Sequence, residues 1–380
     1  MNPLQVVHVV GSLQPWGTQR AMLDVIDASR RSGVASRLFA ASNGELNDMF
    51  AVAGVRPQVF GKREPASAAT ALRLAKAVIA AQPDVVHLWD EWSLYNVGPI
   101  LAYEGLTYVC SLRNPPAKLT WGRRQIGRFV LRRAAAIVSP SPALQAQSLA
   151  AFRDPRLAPH WRTIADPSVG EVELRERTEV LNRLGLPSNM RLIGTASRFT
   201  STKSIRDFIF AAALLRLAHD DLRFVISGDG PAAADVRTFC ERMRMTDLTV
   251  FPGSRLDAAE SIGHFTVYVD AAVVDGPSRG IAEAQRCGVP VVCVDTPIRR
   301  EQIRPEIDGL IAPPHDPGAL TRQIHQLLLD EPMRLRLGAA GRENALVAAE
   351  RNRGAAELLD VYRAAAIVGR ERVTRPAIAL

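Results

Sequence analysis

Read as a pattern of apolar and polar positions, the chain alternates short apolar runs with segments of helical period. Gln5–Val10, Ala35–Ala40, Val85–Leu88, Thr107–Ser111 and Ala136–Ser139 read as strands buried on both faces. Between them Thr18–Arg31, Ser67–Ala81, Tyr95–Tyr103, Trp121–Arg133 and Pro142–Phe152 place apolar residues at helical spacing. A polar, Pro-containing passage at 165–170 follows. The alternation then restarts with the strands Arg191–Ala196, Arg223–Ser227, Leu248–Phe251, Thr266–Ala271, Val291–Val294 and Gly309–Ala312. The pattern predicts an α/β protein of two doubly wound parallel-sheet domains, 1–166 and 167–354, with a C-terminal helix at about 355–380 packing back onto the first. Ligands of such sheets bind outside the carboxyl ends of the strands, so two facing domains predict a site in the cleft between them.

The stretch Thr266–Thr296 is the clearest single unit. A β-branched run, an acidic turn, a helix and a Gly288-Val289-Pro290 break lead into the apolar run Val291–Val294, a βαβ order. Ser278 is a natural N-cap. The free N–H groups of the helix it opens favour negative charge, and Gly276 and Gly280 are expected to let a phosphate approach the backbone. Two carboxylates, Asp275 and Glu283, bracket this turn.

Composition and charge narrow the reading. A chain of 380 residues exceeds one ordinary core. Its four cysteines, Cys110, Cys240, Cys287 and Cys293, lie in apolar contexts without C-x-x-C spacing, which predicts core thiols in a reducing cytoplasm. No run approaches the ~18 apolar residues of a membrane span. From Gly105 to Arg153 there is no Asp or Glu, while Arg113, Lys118, Arg123, Arg124, Arg128, Arg132, Arg133 and Arg153 supply eight positive charges, as many as the net excess of +8. In a helix from Trp121, Arg124, Arg128 and Arg132 fall on one stripe and Ile126, Phe129 and Val130 on another. The expectation is an outward arginine stripe that meets an anionic acceptor or the inner face of a membrane, against a plain solvated face as the alternative.

Three further segments carry candidate chemistry. Gly194–Ser204 follows a strand and holds Arg198 and Lys203; it is no Walker loop, because Thr202 stands before the lysine, but two such cations suit a diphosphate. Gly228-Asp229-Gly230-Pro231 is a degenerate relative of the dinucleotide fingerprint in the second βα unit of its domain, read as a tight turn beside a nucleotide. At the N-terminus, Gly11–Gln19, including Gly17, links the first strand to the first helix.

The order of these pieces resembles the retaining nucleotide-sugar glycosyltransferases of family four, of GT-B fold, whose two domains are Rossmann-like. The resemblance runs from the Gly-rich first loop through Arg198-x4-Lys203, Gly228-Asp229-Gly230-Pro231, Pro252-Gly253, Asp275-Gly276 to Glu283-Ala284, Gly288–Val292, Glu301-Gln302-Ile303 and Asp308-Gly309-Leu310. It covers about residues 4 to 345 and is more specific in the second half. It implies that Arg198 and Lys203 clamp the donor diphosphate, Glu283 holds the nucleotide ribose and Asp275 contacts the donor sugar. Gly17, Gly228, Gly230, Pro252, Gly276, Ser278, Arg279 and Gly280 complete the donor site. Four positions depart from the pattern. Asp275 stands for Glu, Ser204 for the Gly after Lys, Gln19 for an acidic residue, and Arg113 for a His near the reacting sugar, where an always-protonated group binds phosphate or hydroxyl rather than acting as a base.

The donor implied is a UDP- or GDP-sugar, with no bound cofactor and no metal, because fixed cations take the metal's place. The acceptor implied is a glycan or a polyprenyl-diphosphate-linked sugar, the location cytoplasmic with a peripheral membrane contact, and nucleic acid no partner. A GT-B nucleotide-sugar epimerase and a degenerate, non-catalytic sugar-nucleotide or polyanion-binding protein are the alternatives.

Overall fold

A computed structural model describes residues 3–61, 67–116, 119–167, 169–170, 174–254, 261–274, 276–351 and 353–374. The chain divides into one unit made of Met1–Pro167 with Arg353–Leu380 and a second made of Ser168–Asn352.

The first unit holds a seven-stranded parallel sheet in the order β3-β2-β1-β4-β5-β6-β7. Its strands are β1 Gln5–Ser12, β2 Ala35–Ser42, β3 Gln58–Val59, β4 Val85–Leu88, β5 Tyr108–Ser111, β6 Ala136–Ser139 and β7 Trp161–Thr163. Alternation within β1 sends Val7 and Val9 into one apolar cluster, with Val86, Leu101 and Val130, and Val6 and Val10 into the other, with Val85, Trp89 and Tyr362. Both faces are therefore covered, and the central strands read as continuous apolar runs. The second cluster receives Leu358, Leu359, Tyr362 and Ala365 from the helix Gly354–Thr374.

Within that second cluster lies a buried polar network. Trp89 Nε1 donates to His8 Nδ1 at 2.9 Å, and the other His8 nitrogen meets Ser36 Oγ at 3.2 Å. The His87 ring bonds the hydroxyls of Tyr362 at 2.6 Å and Ser111 at 2.8 Å. Burial pushes His8 down to about 3; His87 is held well below its ordinary value by burial first, then by His8 and Arg113.

The second unit holds a six-stranded parallel sheet, β10-β9-β8-β11-β12-β13. These are β8 Arg191–Ala196, β9 Leu222–Ser227, β10 Thr249–Val250, β11 Val267–Asp270, β12 Val291–Val294 and β13 Gly309–Ala312. The strand order reverses between β8 and β11, so the loops leaving their carboxyl ends diverge beside one another and open a crevice.

One local expectation needs correction. The predicted helix Tyr95–Tyr103 is two short helices, Glu91–Asn96 and Gly98–Tyr103, because Pro99 lacks an N–H and its ring opposes the Tyr95 carbonyl. Asp90 starts the first of them with a reciprocal capping box to Ser93. All four cysteines are free, three of them buried. Among the described residues no helix is long and apolar enough to cross a membrane.

Candidate functional site

The loop that leaves β8 carries Arg198 and Lys203, and its backbone is laced to the loop that leaves β9. Ser197 N donates to Ser227 O at 3.0 Å, Phe199 N to Asp229 O at 2.9 Å and Ala232 N to Phe199 O at 3.0 Å. Gly228 sits at φ +134°, and a Cβ there would lie 1.8 Å from Ser197 O; at Gly230 it would lie 2.6 Å from Phe199 O. The glycine requirement in Gly228-Asp229-Gly230 thus comes from close approach of two backbone segments, which holds the arginine loop in shape. Gly228 N also donates to Gly253 O at 2.7 Å, next to half-buried Pro252.

Arg198 is exposed, whereas Lys203 is half-buried at the end of the 3₁₀ turn Ser201–Lys203. Ser204 follows in the left-handed region, φ 48° and ψ 37°, as N-cap of the helix Ile205–Leu215. Only glycine takes that conformation without steric cost, which explains why the resembled pattern has Gly there. Val273 N donates to Thr202 O at 3.1 Å, which ties this loop to the one leaving β11.

At the end of β11, Asp270 is buried, and its Oδ1 accepts from Ala272 N at 3.1 Å and Arg299 Nη2 at 3.2 Å. Burial alone would raise its pKa, but the Arg299 guanidinium, the Lys203 ammonium and hydrogen bonds outweigh burial and hold the carboxyl below its ordinary value. Arg299 is only 1% exposed and also donates to Gly276 O at 2.8 Å and Gln302 Oε1 at 3.3 Å. Gln302 in turn clasps one residue from both sides: its Oε1 accepts from Ser278 N at 2.8 Å and its Nε2 donates to Ser278 O at 3.0 Å.

Ser278 caps the helix Arg279–Arg286, accepting from Ile281 N at 3.4 Å. Glu283 is buried one turn in, and Arg279 Nε donates to its Oε1 at 3.2 Å. The space a Cβ would take at Gly280 is filled by Tyr268, whose hydroxyl would lie 2.0 Å away. Packing of the helix against Tyr268, rather than room for a phosphate, is what demands that glycine. Asp275 lies outside the described residues.

The structure therefore brings Arg198, Lys203, Gly228, Gly230, Pro252, Gly276, Ser278, Arg279, Gly280 and Glu283 together at the carboxyl end of one sheet. Gly17 and Arg113 belong to the other unit. Gly17 is exposed and opens the first helix, Gly17–Arg31. Arg113 follows β5, pairs with Asp166 and lies with its guanidinium 5.8 Å from the Trp89 ring centroid. Sequence reasoning missed Asp270 and Arg299 and gave Gln302, quoted only within the Glu301-Gln302-Ile303 motif, no role; the one signal for Asp270 was its place at the end of the apolar run Val-Tyr-Val-Asp.

The arginine stripe of the helix Trp121–Leu131 is used differently from expectation. Arg124 Nε donates to Ala151 O at 3.1 Å, and Arg128 donates to Phe152 O and Arg153 O, each at 2.7 Å; Arg132 pairs with buried Asp154. Arg124 and Arg128 cap the carbonyl end of the helix Pro142–Phe152, and Arg132 meets the carboxylate just beyond it. What faces solvent is Trp121 at 76%, Ile126 at 42% and Phe129 at 36%, with Arg133 stacked over the Phe129 ring. Val130 alone of the predicted apolar stripe is buried. Lys118 lies outside the described residues.

Comparison with known proteins bears on both units. The family described as Glycosyltransferase Family 4 matches residues 16–159, and the family described as Glycosyl transferases group 1 matches residues 176–344. A D-inositol 3-phosphate glycosyltransferase of Xylanimonas cellulosilytica is 31% identical over 202 residues, covering 49% of this chain and 45% of that protein. The chain spans about half the length of the curated relatives it matches. Among solved structures, HepE of Anabaena in complex with UDP-glucose has a TM-score of 0.79 at 16% identity, over 94% of this chain and 99% of HepE. WaaG, a glycosyltransferase involved in lipopolysaccharide biosynthesis, has a TM-score of 0.72 at 13% identity, over 97% of this chain and all of WaaG.

Proposed function

We infer, for a chain that belongs to glycosyltransferase family 4 and has the GT-B fold, that it moves a sugar from a UDP- or GDP-linked donor to a glycan or polyprenyl-diphosphate-linked acceptor with retention of anomeric configuration. The observation that carries the reading is the meeting, where the strand order reverses, of the Arg198–Lys203 loop with the N-terminus of the Arg279–Arg286 helix. As the bond from the anomeric carbon to the diphosphate breaks, positive charge grows on the sugar ring and negative charge on the departing oxygens. Arg198, Lys203 and the first-turn N–H groups of the helix at Arg279 and Gly280 receive that negative charge. Glu283 is assigned to the ribose, Asp275 to the donor sugar and Arg113 to the acceptor side. The acceptor attacks on the face from which the diphosphate leaves, which gives retention. UDP-glucose, bound by HepE, is the first donor to try.

An anionic bilayer is the surface on which a polyprenyl-linked acceptor is presented. The exposed Trp121, Ile126 and Phe129, with Arg123 and Arg133 beside them, suit the interface of such a bilayer.

The test is release of free nucleoside diphosphate from UDP- and GDP-sugars with glycan and lipid-linked acceptors, with the anomeric configuration of the product read by NMR. An inverted product rejects retention. Conversion of the sugar nucleotide to its epimer without release replaces the transferase reading with the epimerase.

A further inference from the structure

Arg299 is the most deeply buried cation in the second unit among the described residues, and no motif drew attention to it. Three groups of different origin meet its fork: the Asp270 carboxylate at the end of β11, the carbonyl of Gly276 in the loop beyond, and the Gln302 amide of its own helix, Pro297–Gln302. Gln302 then grips the N–H and the C=O of Ser278, and its own carbonyl accepts from Gln285 Nε2 at 3.1 Å on the capped helix. The loop from Gly276 to Ser278 is thus held from one side by a single short helix. A guanidinium is needed there because its rigid fork reaches two acceptors on different elements at once, whereas an ammonium on a flexible stem is a point charge. Asp270 also feels Lys203, so the same guanidinium helps set the field in which that lysine sits.

We propose that Arg299, acting with Gln302, is a positioning residue for the donor diphosphate: it fixes the Gly276–Ser278 loop so that the helix N-terminus faces the phosphates. This rests on the assignment of that helix to the donor. It touches no substrate itself. A loop held only by its own backbone would present those N–H groups over a spread of orientations, and a diphosphate that needs several of them aligned would lose more than a monophosphate would.

Calorimetry with UDP and UMP, and with GDP and GMP, tests it on the whole chain. Arg299→Lys keeps a charge against Asp270 but cannot reach Asp270 and Gly276 at once; it is expected to fold and to lose on the order of ten- to a hundredfold in diphosphate affinity. The monophosphate affinity is expected to change by less than about threefold. Gln302→Ala, which removes the clasp on Ser278 and buries no charge, is expected to narrow the diphosphate-to-monophosphate ratio in the same direction, and decides the matter if Arg299→Lys does not fold. A wild-type ratio in Gln302→Ala and in any folded Arg299→Lys overturns the positioning role while leaving the donor site standing. Wild-type protein that binds neither UDP nor GDP overturns the donor reading and this inference with it.

Discussion

Acid should loosen the first unit before the carboxylates of the chain titrate fully, and the two buried histidines set by how much. His8 accepts from Trp89 at Nδ1, so its proton sits on Nε2 against Ser36, and a second proton at Nδ1 would leave two N–H groups facing each other. Burial holds His8 at about 3, against about 6.5 in an unfolded chain. The folded pKa is the lower one, so the unfolded state takes up the proton first; the stabilisation is complete above about pH 6.5 and is lost as pH falls toward 3. The slope for one such histidine is about 1.4 kcal/mol per pH unit, which gives about 2 kcal/mol from His8 between pH 8 and pH 5. His87, whose pKa is lowered by burial first and then by His8 and Arg113, adds a loss of the same sign. Urea unfolding followed by tryptophan fluorescence is a selective assay, because Trp16, Trp89, Trp92, Trp121 and Trp161 all lie in the first unit. His8→Asn retains an acceptor for Trp89 without titrating, so its drop between pH 8 and pH 5 should be smaller than wild type by about 2 kcal/mol. An equal drop in both proteins would refute the reasoning.

Three further outcomes are expected. Arg198→Ala and Lys203→Ala should each lower turnover on the order of 10²- to 10³-fold with the melting temperature preserved, and near-wild-type turnover in both removes the diphosphate assignment. Ser204→Gly relieves a left-handed residue at a cost in chain entropy, so the second unit should gain about 0.5 kcal/mol with unchanged donor affinity; destabilisation in a circular-dichroism melt would mean that the Ser204 side chain contributes more than its backbone strain removes. The wild-type chain should co-sediment with anionic but not neutral vesicles at low salt, and Trp121→Ala/Phe129→Ala should stay in the supernatant; wild type that never pellets ends the bilayer proposal.

What the sequence reveals divides along physical lines. Strands such as β4 and β12 are legible because both their faces are buried, which leaves an unbroken apolar run. The short strands β3 and β7, Gln-Val and Trp-Arg-Thr, carry no such run, and neither was expected. Helical spacing groups Arg124, Arg128 and Arg132 on one stripe but is silent on what the stripe meets, and here it meets the open carbonyls at the end of a neighbouring helix and the Asp154 carboxylate that follows it. Arg198, Lys203 and the two carboxylates announce themselves as motif residues. Arg299 does not, since nothing local to Pro-Ile-Arg-Arg-Glu-Gln tells its buried guanidinium from the exposed Arg300 next to it. Burial of a charge is decided by Asp270 and Gly276, which stand 29 and 23 residues away.

The bond between His87 and Tyr362 joins residues 275 apart, and the whole second unit lies between them. Synthesis proceeds at about 5–20 residues per second, so His87 leaves the ribosome roughly 10 to 50 seconds before its partner is made. During that interval one side of the first sheet, with Val6, Val10, Val85 and Trp89, has no Gly354–Thr374 helix over it, while the second unit is continuous and completes its own core first. The order of assembly is thus the reverse of the order of translation, and the nascent first unit is an apolar surface that chaperones have time to find. An isolated 1–167 fragment would keep that side of the sheet without the helix, and His87 would lose its bond to Tyr362.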